Sequence, residues 1–222
     1  MSILNNVNKV KQEISNTCTT VDRNAKDVTI IGVTKYVDAL VADELRASGI
    51  TNLGENRADV FLEKYREIGK DVIWHFIGTL QTRKVRDVIN KIEYLHSLDR
   101  LSLAEEINKR ADKIVKCFVQ VNISEEDSKH GVEKDDVLEF IKQLSVYDKI
   151  EVIGLMTMAP DIEDDIVIRS CFSDLRQLKE EVENLSLMHA PCKELSMGMT
   201  NDYKIAIEEG ATFVRLGRCL IE

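Results

Sequence analysis

Short runs rich in Val, Ile and Phe recur along this sequence at a nearly constant interval. The first five begin at Val28, Thr51, Ile73, Tyr94 and Lys116, so successive starts lie between 21 and 23 residues apart. Such runs are typical of β-strands buried on both faces, and the interval leaves room for one helix between neighbours. Strands that alternate with helices predict a parallel sheet covered on both sides.

Three further runs begin at Glu151, Lys193 and Thr212, which brings the number of predicted strands to eight. Helical patterns lie between them, for example over residues 40–47, 135–144 and 164–182. Open doubly wound sheets usually have fewer strands, so eight predict closure into a (β/α)8 TIM barrel. The alternative is an open sheet with a separate small subdomain, although no shift in composition marks one.

The segment from Ile3 to Ile14 has apolar residues at helical spacing and predicts an amphipathic helix. The chain ends a few residues after the eighth predicted strand, so no outer helix is expected to follow that strand. In a closed barrel the first and eighth strands are neighbours. We therefore expect the N-terminal helix to pack near strands 1 and 8, in one α/β domain over residues 1–222.

Charge and cysteine usage narrow the class of function. The net charge of −9 argues against a nucleic-acid-binding surface, which needs a basic patch. No apolar run is long enough for a membrane span, and the N-terminus lacks the apolar stretch of a signal peptide. The five cysteines and four histidines are scattered without metal-ligand spacing. We expect a cytoplasmic protein with reduced thiols and no metal.

Polar residues cluster where the predicted strands end, which is where barrel enzymes place their active residues. Lys35 closes the first run, and a lysine at the mouth of an apolar barrel is partly desolvated, which favours the neutral, nucleophilic amine. The alternative is a lysine that extends from a strand end into solvent. Taken alone, Lys35 favours that alternative.

The loop after the seventh run, from Ser196 to Thr200, leads directly into a helical pattern. Thr200 or Asn201 is a suitable N-cap, and free amides at a helix start suit a phosphate group. TIM barrels often bind phosphate with the loops after strands seven and eight, which here include Gly217 and Arg218. An ordinary capped turn is the alternative, and the position in the barrel favours phosphate.

Other polar strand ends carry weaker signals. The Gly-Glu-Asn-Arg segment at 54–57 is compatible with a turn and helix cap, and His75 is by default a core histidine. Residues 124–129 predict a solvated loop, and the methionines near the strand ends are typical of packing.

Taken together, the strand ends resemble the pyridoxal 5′-phosphate (PLP) homeostasis family of YggS/PROSC type, which shares its barrel with the N-terminal domain of alanine racemase. The matching segments follow one another along almost the whole chain: VTK at 33–35, GEN at 54–56, WHFIG at 74–78 with Leu80, Gln81 and Lys84, HSLDR at 96–100, VNIS at 121–124, GLMTM at 154–158, LSMGMT at 195–200 with Asp202, and VRLG at 214–217.

The resemblance implies a cofactor site. Lys35 would hold PLP as a Schiff base, Asn56 would lie beside the ring, and Arg215 would face the pyridine nitrogen. Ser196, Met199, Thr200 and the Gly217 backbone would bind the phosphate, and His75 is also expected among the cofactor-binding residues. The family usually has a small hydroxyl residue after Gly217, where this chain has Arg218, which can still pair with phosphate.

Three functions remain open from the residues. The first is a monomeric carrier, which would buffer PLP or supply it to apo PLP-dependent enzymes. We expect this function and therefore no catalytic activity. A PLP-dependent racemase needs a second acid–base group opposite the lysine. Racemases with this barrel take that group from an additional domain, which is not expected here. A Schiff-base aldolase acting on a sugar phosphate is the third possibility, and the family motifs disfavour it.

Overall fold

The computed structural model describes residues 2–123 and 130–222. The predicted loop at 124–129 lies outside the described residues. The strands follow one another in chain order: β1 (Thr29–Val33), β2 (Asn52–Glu55), β3 (Ile73–Phe76), β4 (Tyr94–Leu98), β5 (Val115–Asn122), β6 (Val132–Glu133), β7 (Ile150–Met156), β8 (Glu194–Ser196) and β9 (Phe213–Leu216).

Eight of these strands form a closed parallel barrel. β1 pairs with β2 on one side and with β9 on the other, and the ring closes through the β4–β5 and β5–β7 pairings. The predicted (β/α)8 barrel is therefore confirmed. The sequence pattern missed β6, a two-residue strand that pairs with the end of β5, where Val121 lies opposite Val132. So short a strand carries no periodicity of its own.

Helices lie between the strands on the outside of the barrel. The α-helices are α1 (Ile3–Thr20), α2 (Ala39–Ala47), α3 (Ala58–Ile68), α4 (Val85–Val88), α5 (Leu101–Arg110), α6 (Val137–Gln143), α7 (Asp165–Asn184), α8 (Tyr203–Glu208) and α9 (Arg218–Ile221). Short 3-10 helices occupy Ala25–Asp27, Thr82–Lys84, Lys134–Asp136 and Leu144–Val146. No helix in 2–123 or 130–222 combines the length and apolarity needed to cross a bilayer.

Local chemistry sets where the helices begin. Asp38 precedes α2, and its side chain accepts a hydrogen bond from the Val41 amide at 3.0 Å. Asp164 precedes α7 in the same way and accepts from the amides of Ile166 and Val167. An acidic N-cap satisfies amides that have no partner within the helix.

The N-terminal helix packs where the sequence predicts. α1 contacts α2, α8 and α9, so it covers the barrel beside β1 and β9. The Asn6 side-chain amide donates to the Leu220 carbonyl at 3.4 Å, and the Tyr203 hydroxyl bonds to the Glu13 carboxylate. Two details differ from the prediction: α1 continues to Thr20, and the one-turn helix α9 follows β9.

The barrel interior differs from the rest of the core. The main apolar core lies between the strands and the outer helices. Inside the barrel a separate cluster consists of Ile31, Phe118, Met156 and Phe213. Two histidines lie among these side chains, because His96 stacks on Phe118 with ring centroids 4.3 Å apart and His75 stacks on Tyr94 at 4.5 Å.

Candidate functional site

The carboxyl ends of β8, β9, β1 and β2 lie side by side and form one arc of the barrel rim, referred to below as the mouth. The Arg215 amide on β9 donates to the carbonyl of Gly198, just after β8, at 2.9 Å, and Gly32 pairs with Leu216 and Val33 with Gly54. The three loops that follow β8, β9 and β1 therefore start next to one another. This adjacency brings Lys35 to the same arc as the predicted phosphate loops.

Lys35 stands two residues past the end of β1 and its side chain is exposed. Its Nζ lies 4.8 Å from the centroid of the Tyr36 ring, a cation–π distance. The expectation that this lysine is partly desolvated is wrong, because β1 ends at Val33 and the loop carries Lys35 beyond the barrel wall. The amine is accessible to a ligand.

Behind Lys35 lies a buried ion pair that the sequence analysis missed. Lys64 on α3 places its Nζ 2.5 Å from Glu55 Oε1 and 2.6 Å from the carbonyl oxygen of Thr34. The Thr34 hydroxyl donates to the same Glu55 oxygen at 2.5 Å. Glu55 Oε2 is buried without a hydrogen-bond partner among the described residues. The cluster fixes the backbone immediately before Lys35 and Asn56.

A signal for this cluster was present in the sequence. Phe61, Lys64 and Ile68 share the buried face of α3, so a lysine interrupts an apolar stripe at helical spacing. A charge on such a face requires a buried partner. The pattern could not identify that partner as Glu55.

Asn56 follows β2 and is half-buried. Gly78, which follows β3, packs directly on it. A methyl group on the Gly78 Cα would lie 2.3 Å from the Asn56 carbonyl oxygen and 2.7 Å from its Cα. Only glycine fits there, so Gly78 sets the position of Asn56 at the edge of the mouth.

The loop after β8 is built differently from the prediction. The helix begins at Tyr203 with Asp202 in the N-cap position, so Thr200 and Asn201 are not its cap. The Asp202 carboxylate is buried and accepts from the Met199 amide at 2.5 Å. Burial raises the pKa of Asp202. The Met199 amide is thus already engaged, and a role for Met199 at a phosphate stays a prediction.

Two contacts join the loops after β8 and β9. The Thr200 hydroxyl lies 3.6 Å from the Cys219 sulfur, and Arg218 Nη2 donates to the Asn201 side chain at 3.4 Å. Gly217 lies against β1, since a methyl on its Cα would come within 3.4 Å of the Val33 carbonyl oxygen. The structure therefore brings Thr200, Gly217 and the exposed Arg218 together, close to the β1 end that leads to Lys35.

Ser196 and Arg215 lie deeper, inside the barrel. Arg215 is buried, and its Nη1 donates to the Ser196 hydroxyl at 2.8 Å while its Nη2 donates to the Thr157 carbonyl at 2.9 Å. Burial lowers the pKa of Arg215 to about 10, so the group remains charged near neutral pH. A cation inside the barrel is thereby held beneath the mouth.

His75 is not at the mouth. Its Nδ1 lies 2.9 Å from His96 Nε2, and its Nε2 lies 2.9 Å from Asn52 Oδ1, at the beginning of β2. His96 Nδ1 in turn lies 2.8 Å from the Ser196 hydroxyl. Burial lowers the pKa of His75 to about 3 and that of His96 well below its usual range. The default interpretation of His75 as a core histidine therefore fits its surroundings, and its link to Arg215 runs through His96 and Ser196.

Comparison with known proteins identifies the family of this chain. The sequence profile described as alanine racemase, N-terminal domain, matches residues 2–221. The chain belongs to this family.

Individual relatives place the chain more closely within it. A protein of Aquifex aeolicus named pyridoxal phosphate homeostasis protein is 37% identical, over 99% of this chain and 97% of the relative. A protein of the same name from Escherichia coli K12 is 30% identical, over 98% of this chain and 95% of the relative.

Solved structures agree with the barrel. PipY of Synechococcus elongatus, solved with PLP bound, superposes with a TM-score of 0.82 at 28% identity, covering 94% of this chain and all of PipY. An alanine racemase of Clostridium difficile superposes with a TM-score of 0.79 at 17% identity, and its match covers 99% of this chain but 56% of the racemase. The second likeness concerns the fold alone.

Proposed function

We propose that this chain binds PLP as a Schiff base on Lys35 and serves intracellular PLP homeostasis. The observation that carries the proposal is the position of Lys35. Its exposed amine follows β1, which lies between β2 and β9 in the barrel of a family whose relatives are named for PLP homeostasis. The PLP bound in PipY supports the same cofactor.

The donor groups at the mouth suit a phosphorylated aldehyde. The Lys35 amine condenses with the aldehyde carbon: a C=N bond replaces the C=O bond, and the oxygen leaves as water with two protons from nitrogen. Asn56, one strand away, would contact the ring. The linkage is reversible, which suits a protein that both holds and releases its ligand.

The phosphate would be bound by the loops after β8 and β9. The Thr200 hydroxyl, the Gly217 backbone and the Arg218 guanidinium lie together there, and a guanidinium pairs well with phosphate. Ser196 and Met199 belong to the proposed site with one difference from the others. Their hydroxyl and amide make short hydrogen bonds of 2.5 to 2.8 Å within the protein, whereas the contacts of Thr200 and Arg218 are longer, at 3.6 and 3.4 Å. Ser196 and Met199 would therefore contribute less than Thr200 and Arg218.

Arg215 would face the pyridine nitrogen from inside the barrel. A cation there, unlike a carboxylate, does not hold a proton on that nitrogen, so the bound ring withdraws electrons weakly. This disfavours carbanion chemistry and supports carriage over catalysis. We propose a non-catalytic, monomeric, cytoplasmic protein with one domain, which passes PLP to apo PLP-dependent enzymes.

An amino-acid racemase of the PLP type is the second candidate, because the barrel is the one found in alanine racemases. Incubation of the loaded protein with a panel of L-amino acids, followed by chiral chromatography, separates the two. Lys35-dependent racemisation at turnover rates above those of free PLP would refute the carrier proposal.

The proposal is tested by titrating the purified protein with PLP. We expect a visible absorption band in the wild type and none in Lys35→Ala. Borohydride reduction followed by peptide mass spectrometry is expected to find the pyridoxyl group on Lys35. The matched control is Lys109→Ala, because Lys109 is an exposed lysine in the last turn of α5, away from the mouth. A wild type without the band, or a reduced adduct on another lysine, would refute the proposal.

A further inference from the structure

A continuous hydrogen-bond chain crosses the inside of the barrel. It runs from Arg215 through Ser196, His96 and His75 to Asn52, with donor–acceptor distances of 2.8, 2.8, 2.9 and 2.9 Å. Four of its five side chains are buried, and Asn52 at the beginning of β2 is half-buried. We call these five side chains the relay.

The two ends of the relay determine where every proton lies. Asn52 Oδ1 can only accept, so His75 donates to it from Nε2, and the Nδ1 of neutral His75 accepts from His96 Nε2. Neutral His96 then accepts at Nδ1 from the Ser196 hydroxyl. At the other end Arg215 can only donate, so the Ser196 oxygen accepts from it. All four hydrogen bonds therefore point in one direction, away from the mouth.

The direction requires both histidines to be neutral, and the surroundings favour that state. Burial is the largest influence on both rings, and the positive charge of Arg215 disfavours a proton on His96 as well. The carboxylate of Glu93 acts on His75 in the opposite sense, and more weakly than burial does. The relay thus contains one charge, at its Arg215 end.

We propose that His96 and His75 are positioning residues for Arg215, acting through Ser196 to hold the guanidinium in one orientation beneath the mouth. Two N–H groups of Arg215 are committed to Ser196 and to the Thr157 carbonyl, so its remaining donors point in a fixed direction. This inference rests on the proposed PLP site. It assigns a function to His96, which bonds directly to Ser196 of the proposed site, and to His75, which bonds to His96.

The proton arrangement is tested first, without PLP. Nitrogen-15 NMR of the histidine side chains in the wild type should show both His75 and His96 as neutral Nε2–H tautomers at pH 7 and at pH 5. A protonated ring at pH 7, or Nδ1–H tautomers, would overturn the inference, because the relay would then run in the opposite direction or be broken.

The effect on binding is tested with His96→Phe and His75→Phe. Phenylalanine keeps the ring stacking on Phe118 and Tyr94 but removes the hydrogen bonds. We expect His96→Phe to raise the PLP dissociation constant about tenfold, which is the upper end of what the loss of one neutral hydrogen bond costs. We expect His75→Phe to raise it by a smaller factor, and the pH midpoint of the visible band to move in both variants.

The double variant separates a relay from independent packing effects. If the residues act through one chain, His75→Phe adds nothing to the dissociation constant once His96→Phe has broken it. Additive effects of the two substitutions would overturn the inference. His189→Phe is the matched control, because His189 bonds to the Ile141 carbonyl outside the relay and should change neither the dissociation constant nor the pH midpoint.

Misfolding and failure of the PLP site are distinguished from failure of the relay. Circular dichroism and a retained visible band show that a variant is folded. If His96→Phe does not fold, the test relies on His75→Phe, which lies farther from the mouth. A wild type that gives no visible band refutes the proposed function. A wild type that binds PLP, with both variants unchanged in affinity and pH midpoint, refutes the relay alone.

Discussion

At the scale of single residues, the mouth depends on side chains that never reach it. The Lys64 side chain is only 3% exposed and the Glu55 side chain is fully buried. Lys64 bonds to Glu55 and also holds the Thr34 carbonyl, which directly precedes Lys35. A buried pair of this kind contributes little net stability against an apolar replacement, but the loss of one partner leaves an unpaired buried charge. Its structural effect is to define where the loop after β1 leaves the barrel.

We therefore expect Lys64→Met to lower the free energy of unfolding by about 3–5 kcal/mol, as measured by urea denaturation. Adding Glu55→Gln should recover part of that loss, because it removes the unpaired charge. The matched control is Arg57→Met, since the Arg57–Asp59 pair is exposed and such pairs contribute less than about 1 kcal/mol. Equal losses for Lys64→Met and Arg57→Met would contradict this account.

At the scale of elements, the strand ends are held in register by close backbone approach. β2 and β3 are parallel, with Gly54 opposite His75, and the chain beyond β3 turns at Gly78 against Asn56. The Ser97 hydroxyl on β4 donates to the Gly78 carbonyl at 2.6 Å, so three neighbouring strand ends converge at this glycine. The edge of the mouth is therefore rigid at Asn56.

Gly78→Ala should displace Asn56, because the added methyl would meet backbone atoms that cannot move alone. We expect a destabilisation of about 1–3 kcal/mol together with weaker PLP binding, measured by urea denaturation and by titration of the visible band. Gly32→Ala is the comparison: its methyl would meet a methyl group of Ile50 at 2.9 Å, and it lies inside β1. Both variants are expected to lose stability. If Gly78→Ala bound PLP as tightly as the wild type, Gly78 would not set the position of Asn56 for binding.

At the scale of the whole molecule, barrel closure couples ligand binding to folding. The residues proposed to hold PLP come from positions 35 to 218 and meet only after β9 pairs with β1. A ligand bound to such a site stabilises the folded state and has no equivalent site in the unfolded chain. The stabilisation follows the ratio of free ligand to dissociation constant.

We expect PLP at about 100 times its dissociation constant to raise the free energy of unfolding by about 2.7 kcal/mol, with a corresponding rise in Tm. Lys35→Ala should lose most of that rise, because the covalent link contributes much of the affinity. Differential scanning calorimetry with and without PLP measures it. A rise of equal size in Lys35→Ala would place the stabilising contact somewhere other than Lys35.

Much of the architecture was accessible from the chain itself. The 21–23-residue interval predicted the barrel, the apolar pattern of residues 3–14 predicted α1, and the position after the first run placed Lys35 at the mouth. These features are local, because strand burial, helix faces and turn residues each leave a pattern in a short window of sequence. The start of α8 at Tyr203 and the strand β6 were missed, since each depends on one or two residues.

What the sequence by itself determined is therefore the eight strands of the barrel, their order along the chain and the residues that stand at their ends. Only the tertiary structure decided that Ser196 and Arg215 point into the barrel, that His96 joins them to His75, and that Lys64 lies against Glu55. The physical reason is that these contacts join side chains from different strands and helices. Their partners are set by closure and register of the whole barrel, which no short window of sequence records.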